Sequence, residues 1–172
     1  DALERLGFGL ERRRALRPGL VDVSLDAYGW SGPWRTRRGF DSLVQMSSGI
    51  ADAGMRRLGK DRPHPLPVQA LDQAAGRIMA AAALRGLTER IGSGEGSVWR
   101  TSLARGAALL TSGATTDEAA LAPVDAADLA NVVENTVWGP ARRVASPVTI
   151  GGVPLSWGRP AGPLGASSAS WE

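Results

Sequence analysis

Residues 72–90 run without a proline and hold six alanines together with Ile78, Met79, Leu84 and Leu87. Alanine and unbranched apolar residues are the strongest helix formers, so this stretch is the clearest helix in the chain, about 28 Å long at the usual rise per residue. Gly92, Gly94 and Gly96 follow it and predict a left-handed cap and a flexible turn. The flanking segments have a different period. Residues 20–25, Leu-Val-Asp-Val-Ser-Leu, alternate apolar and polar after a Pro-Gly turn, and residues 98–103, Val-Trp-Arg-Thr-Ser-Leu, do the same before a short helix through Leu110. Both read as strands, so the class is mixed α/β. With 22 glycines, 11 prolines and 5% aromatic residues, the chain suits many turns between short elements better than a helical bundle.

The remaining elements are shorter. Residues 2–16 predict one or two helices, broken near Gly7 and Gly9 and stopped by Pro18. A loop over 26–38 interleaves Tyr28, Trp30 and Trp34 with Gly29, Gly32 and Pro33, at the end of a strand, where α/β proteins place ligands. Residues 40–50 predict a short amphipathic helix with Phe40, Leu43, Val44 and Met46 on its apolar face, and 55–69 a polar, proline-rich connection. Residues 132–138 and 141–150 predict two β segments joined at Gly139-Pro140, with a turn-rich tail from Ser156.

Bulk properties remove several functions. At 172 residues and 43% hydrophobic content the chain is long enough for one core, and length alone suggests one domain. The formal charge is only +3, so the pI near 10.5 does not make nucleic acid the expected partner. Arginines cluster at Arg12, Arg13, Arg14 and Arg17 and again at Arg35, Arg37 and Arg38, which suits either a solvated surface or a polyphosphate ligand. There is no cysteine, and the one histidine, His64, sits between two prolines, so no metal site and no histidine-based triad is expected. No apolar run approaches the roughly 20 residues needed to cross a bilayer, and no signal segment opens the chain; a cytoplasmic protein is expected.

Asp72, at the mouth of the long helix, has two readings. It is an N-cap, a position where aspartate is favoured, or it is a nucleophilic carboxylate beside the positive end of the helix dipole. One carboxylate cannot readily serve as both in the same conformer. The tryptophans Trp30, Trp34, Trp99 and Trp138 are likewise open between core or interface anchors and a stacking surface for an adenine.

Four patterns in order carry a resemblance. Ser24-Leu25-Asp26-Ala27-Tyr28-Gly29-Trp30-Ser31-Gly32-Pro33-Trp34 precedes Arg37-Arg38-Gly39-Phe40-Asp41-Ser42-Leu43-Val44-Gln45 and Ser48-Gly49-Ile50. Next come Leu71-Asp72-Gln73-Ala74-Ala75-Gly76 and the glycine turn Gly92-Ser93-Gly94-Glu95-Gly96, leading into Ser97-Val98-Trp99-Arg100-Thr101-Ser102-Leu103. Together with Val137-Trp138-Gly139-Pro140, Ser146-Pro147-Val148 and Gly151-Gly152-Val153-Pro154, these resemble the family III coenzyme A transferases, the CaiB/BaiF family. Residues 111–131 have no match.

The resemblance implies a partial nucleotide-binding-like, or Rossmann-like, α/β domain with a C-terminal β-rich segment. In domain terms it implies a partial large domain over 1–110, a linker over 111–131 and a C-terminal segment over 132–172. It further implies homodimers, or pairing with a missing segment of the same protein, and exchange of coenzyme A between an acyl-CoA thioester and a carboxylic acid. No permanently bound cofactor is implied; the thioester is substrate. The family's catalytic aspartate falls on Asp72, its basic coenzyme A contact near Arg38, and an aromatic neighbour of the site on Phe40. Similar racemases place a histidine in the triplet that here reads Gly39-Phe40-Asp41; phenylalanine cannot exchange a proton, which disfavours racemisation. A non-catalytic acyl-CoA-binding or scaffold protein is the rival reading.

Overall fold

The computed structural model describes residues 2–113 and 122–170 of the chain. Length alone suggests one domain, but the chain divides into two compact units, residues 1–115 and 116–172. Much of the expected linker is regular structure where it is described: its first two residues, Thr111 and Ser112, end a helix and its last three, Leu129 to Asn131, begin a strand. Residues 114–121 lie outside the described residues.

The first unit is mixed α/β. Two short helices, α1 (Ala2–Arg5) and α2 (Leu10–Leu16), lead into β1 (Val21–Asp26). Three helices follow, α3 (Asp41–Ser47), α4 (Ile50–Arg57) and α5 (Ala70–Ser93), then β2 (Ser97–Ser102) and α6 (Leu103–Ser112). β1 and β2 are parallel and in register from Val21 opposite Ser97 to Asp26 opposite Ser102. Parallel neighbours need a crossover, and α5 supplies it by packing along both strands. The expected break between α1 and α2 is present, with Gly7 at φ 77°.

Close packing and a part-buried ion pair hold this unit together. At Gly86, late in α5, a Cβ would come within 2.5 Å of Val21 Cγ1 and 2.6 Å of Ser97 Oγ, so the helix lies close on the side chains of the sheet. Gly94 ends α5 with φ 75°, and its N–H reaches the Arg90 carbonyl at 2.8 Å, which makes it the expected left-handed cap. Gly92 is still helical. A part-buried ion pair pins α2 to the sheet: Arg13 Nε donates to Asp22 Oδ2 at 2.7 Å, and Ser24 Oγ donates to Asp22 Oδ1 at 3.0 Å. One of the first arginine cluster is therefore structural.

The helix expected over 40–50 is two helices. Gly49, at φ 88°, turns the chain between α3 and α4, and α4 extends into what reads in sequence as connection. The buried face of α3 also differs from the expected one, keeping only Val44 of the four apolar residues. Phe40, Leu43 and Met46 are exposed, while Asp41, Val44 and Gln45 are buried. The core gathers Ala27, Val44, Ile50, Leu71, Ala75, Leu103 and Ala107, from the ends of both strands and from four helices. It lies at the carboxyl end of the sheet.

The second unit is a short 3-10 turn (Ala126–Asp128) followed by an antiparallel hairpin, β3 (Leu129–Thr136) and β4 (Gly139–Val144), and a minimal pair, β5 (Thr149–Ile150) and β6 (Val153–Pro154). The hairpin turns at Val137-Trp138, not at Gly139-Pro140, which already pair with Thr136 and Asn135. Val137 and Trp138 keep negative φ and the positive value, 108°, falls on Gly139. The glycine is thus the residue after the turn that restores the strand direction. Thr136 Oγ1 fixes the turn by donating to the Gly139 carbonyl at 2.7 Å.

Candidate active site

A helix that crosses between parallel strands runs against them, so the N-terminus of α5 lies at the carboxyl end of the sheet with the loops that leave β1 and β2. The contacts agree: Gly86, late in α5, touches the starts of the strands, while Leu71, at its beginning, packs with Ala27 and Leu103 at their ends. Asp72 stands there.

The first turn of a helix has N–H groups without intrahelical partners. Here the N-cap position is Gln69, whose side chain makes no capping bond, and Asp72 is the third residue of the helix. The bonds come from elsewhere. Ala70 N–H donates to the Val68 carbonyl at 2.8 Å. Leu71 and Asp72 N–H donate to Asp41 Oδ2 at 2.8 and 3.0 Å. The N-cap reading of Asp72 is therefore incorrect; the cap is Asp41, thirty-one residues earlier in sequence.

Asp41 is itself held. It is only 3% exposed, and Gln45 Nε2, one turn later in α3, donates to its Oδ1 at 2.5 Å. Gln45 also donates to the Val68 carbonyl at 3.1 Å and accepts the Leu66 N–H on Oε1 at 2.8 Å. Two buried side chains thus fix the 66–72 segment. Asp72's own carboxylate is exposed and makes no hydrogen bond or ion pair among the described residues.

The expected coenzyme A residues lie in the loop between β1 and α3. Gly39 carries this loop against the end of β1: a Cβ there would sit 2.8 Å from Ala27 Cβ and 3.0 Å from Tyr28 Cε2. Tyr28 and Ser47 hydroxyls meet at 3.1 Å, and Tyr28 meets Trp34 edge-on at 5.0 Å. Arg37 stacks on Trp34 at 4.4 Å, and Arg35 reaches the Gly32 carbonyl at 3.5 Å. Arg38 is exposed with no such partner among the described residues. A cleft of about 570 Å³ is lined by Asp26, Trp30, Arg35, Arg37 and Arg38 among others. Asp72 is not among its lining residues.

Phe40, 73% exposed, precedes Asp41 and so stands next to the bonded start of α5. Asp41, which follows Phe40 and lies three residues after Arg38, bonds the Asp72 backbone N–H. Trp30 and Trp34 are partly exposed at the cleft, Trp99 bonds Ser97 Oγ at 2.8 Å, and Trp138 is exposed at the hairpin turn. None is a fully buried anchor. His64 is exposed, with its N–H on the Ala51 carbonyl at 2.8 Å. Among the described residues no three histidine, aspartate or glutamate side chains form a group able to hold a metal, and no helix is long and apolar enough to cross a membrane.

Asp41 and Gln45 are the residues that sequence reasoning passed over. Their signal was a polar pair four residues apart in a helix read as amphipathic, which places both on one face. That face is the buried one.

The chain is 34% identical over 96 residues to "Probable fatty acyl-CoA transferase Rv3272" of Mycobacterium tuberculosis, covering 56% of this chain and 24% of that protein. It is 36% identical over 98 residues to "Succinyl-CoA--D-citramalate CoA-transferase" of Chloroflexus aurantiacus, covering 56% of this chain and 23% of that protein. The chain thus spans about a quarter of the length of these curated relatives. The orthorhombic crystal structure of Rv3272 superposes with a TM-score of 0.58 at 32% identity over 64% of this chain and 31% of that one. A CaiB/BaiF family protein from Brucella suis, at 21% identity and a TM-score of 0.52, shares the fold over 81% of this chain and 38% of its own. The profile of CoA-transferase family III matches residues 1–163, and the chain belongs to that family.

Proposed function

We propose that this chain carries the nucleophile of a coenzyme A transferase, Asp72, which moves coenzyme A from an acyl-CoA thioester to a carboxylic acid. The observation that carries the reading is the Asp72 carboxylate, exposed and unbonded in the first turn of α5 while Asp41 takes the adjacent N–H groups. A carboxylate so placed can attack the thioester carbonyl. The C–S bond breaks, coenzyme A leaves as thiolate, and a mixed anhydride remains on Asp72. Attack of the thiolate on the aspartyl carbonyl releases the first acid and leaves an aspartyl thioester. The acceptor carboxylate then attacks that thioester, and the returning thiolate completes the new acyl-CoA and frees Asp72. Each step replaces one activated acyl bond by another, which suits a reversible exchange. Trapping with hydroxylamine in a protein of the relatives' full length should yield a hydroxamate on Asp72, read by peptide mass spectrometry. A protein that consumes thioester with no label on Asp72 would refute the assignment.

Arg38 is assigned to the phosphates of coenzyme A, because it alone of the three loop arginines in the cleft has no partner within the chain among the described residues. A charge-assisted contact contributes about 1.5–3 kcal/mol, so Arg38→Ala should weaken coenzyme A binding about tenfold or more in calorimetry. Unchanged affinity would return Arg38 to a solvated surface charge. Phe40 is assigned as the apolar wall beside Asp72, and its side chain leaves the reaction without a second proton-exchanging group at that position. A non-catalytic acyl-CoA-binding role is the second reading, favoured by the cleft of Arg38 being lined without Asp72; binding with no adduct would support it.

The partner is assigned as a second copy or a further segment of the same protein. Among the described residues β1 and β2 pair only with each other, leaving two strand edges, and Leu43 and Met46 of α3 are exposed. Such edges and apolar faces promote pairing. Light scattering at micromolar concentration should show a dimer, and a monodisperse, cooperatively folding monomer would overturn this. The substrate class and the absence of cysteine fit a cytoplasmic setting.

A further inference from the structure

We infer that Asp41 is a positioning residue whose carboxylate, by capping α5 from α3, keeps Asp72 out of the cap. The inference rests on the reading of Asp72 as nucleophile for its kinetic consequence only. An acidic side chain in the first turn of a helix is drawn to that turn's unpaired N–H groups and can accept from them where they lack another acceptor. Asp72 is the third residue of α5 and does not fold back. The N–H groups of Ala70, Leu71 and Asp72 already have acceptors, two of them on one buried carboxylate oxygen.

The arrangement is built rather than incidental. Asp41 is 3% exposed, Gln45 is 2% exposed, and Gln45 spends its donors and its acceptor on Asp41, Val68 and Leu66. Ala70 N–H on Val68 closes the set. A buried carboxylate in this position costs desolvation unless its bonds are complete. Three donors meet it here. The two carboxylates, each at the same helix terminus, thus divide the work: the buried one satisfies the backbone and the exposed one is left for chemistry.

The expected behaviour follows from removing the cap. In Asp41→Ala the Leu71 and Asp72 N–H groups lose their acceptor, and the nearest anionic replacement is Asp72 itself. Its side-chain rotamer, read from three-bond couplings, should change, and formation of the Asp72 adduct should slow about tenfold per folded molecule with KM for acyl-CoA unchanged, the pattern of a lost transition-state contribution. The paired replacement Asp41→Asn with Gln45→Glu keeps an oxygen toward the α5 N–H groups and lets the new carboxylate accept the new amide but loses the bond to the Val68 carbonyl, so it should restore the Asp72 rotamer and only part of the rate. Where Asp41→Ala does not fold, Gln45→Met loosens the same carboxylate and should give the same split between kcat and KM. An unchanged Asp72 rotamer in Asp41→Ala, or a folded Gln45→Met or Asp41→Ala protein with full kcat, overturns the inference. If the parent forms no adduct at all, the transferase reading fails while the rotamer still decides this one.

Discussion

Replacing Asp72 by asparagine should abolish acyl exchange, with a loss on the order of 10⁴-fold in kcat and little change in coenzyme A affinity. The size follows from what is removed. An amide oxygen is a far weaker nucleophile than a carboxylate and would not leave an anhydride that the thiolate can open. The substitution should be structurally mild, because Asp72 is exposed and its carboxylate holds nothing among the described residues; the helix start is capped by Asp41 through the backbone of residue 72, which asparagine retains. Circular dichroism and the unfolding midpoint should therefore match the parent within about 0.5 kcal/mol, as for other surface changes. Exchange measured by the transfer of labelled acid into acyl-CoA gives the rate. A variant that keeps even a tenth of the parental rate would move the chemistry to another residue.

The contrast with Asp41 shows which part of the site could be read from sequence. A long alanine-rich segment can hardly be other than a helix, and two alternating segments on either side of it require strands, so β1, α5 and β2 were legible from propensity and period. Their bounds moved by one to three residues. The position of Asp72 at the start of that helix was legible as well. Its state was not, because the choice between cap and free carboxylate depends on what the N–H groups of α5 find elsewhere, and they find a residue thirty-one positions upstream. No local pattern carries that.

The face of α3 failed for a related reason. Amphipathicity assigns burial by side-chain type, and it placed Phe40, Leu43 and Met46 inside. What decided the orientation was the backbone of residues 66–72, whose unpaired groups needed Asp41 and Gln45. Leaving such groups buried and unpaired costs about 1–3 kcal/mol each, which outweighs turning apolar side chains of one short helix outward where another surface can cover them. Val44 alone of the four expected core residues is fully buried. The exposed remainder, Leu43 and Met46, is the apolar surface that the association measurement addresses.

Gly96 carries the second large effect, and it tests the packing rather than the chemistry. In sequence it reads as part of a flexible glycine turn with Gly92 and Gly94, yet only Gly94 has the positive φ of such a turn. Gly96 is there for space. A Cβ would strike the Leu20 carbonyl oxygen and would lie 2.6 Å from the Pro18 oxygen and 2.8 Å from Leu20 N, all backbone atoms at the mouth of β1. The next residue, Ser97, donates its N–H to Leu20 at 3.1 Å and opens the parallel pairing, so the strain cannot be relieved without drawing β1 and β2 apart. Gly96→Ala should therefore cost about 3 kcal/mol, the upper part of the range for overpacking. For a unit of this size that corresponds to a fall of roughly 10 °C in the unfolding midpoint. Gly86→Ala is the internal control. Its clashes, at Val21 Cγ1, Ser97 Oγ and Trp99 Nε1, are with side-chain rather than backbone atoms, so side-chain shifts relieve them at some cost, and alanine returns about 1 kcal/mol of helix propensity. The expected order in a calorimetric scan is parent, then Gly86→Ala, then Gly96→Ala well below both; equal midpoints for the two variants would show that the strand mouth yields as easily as a rotamer.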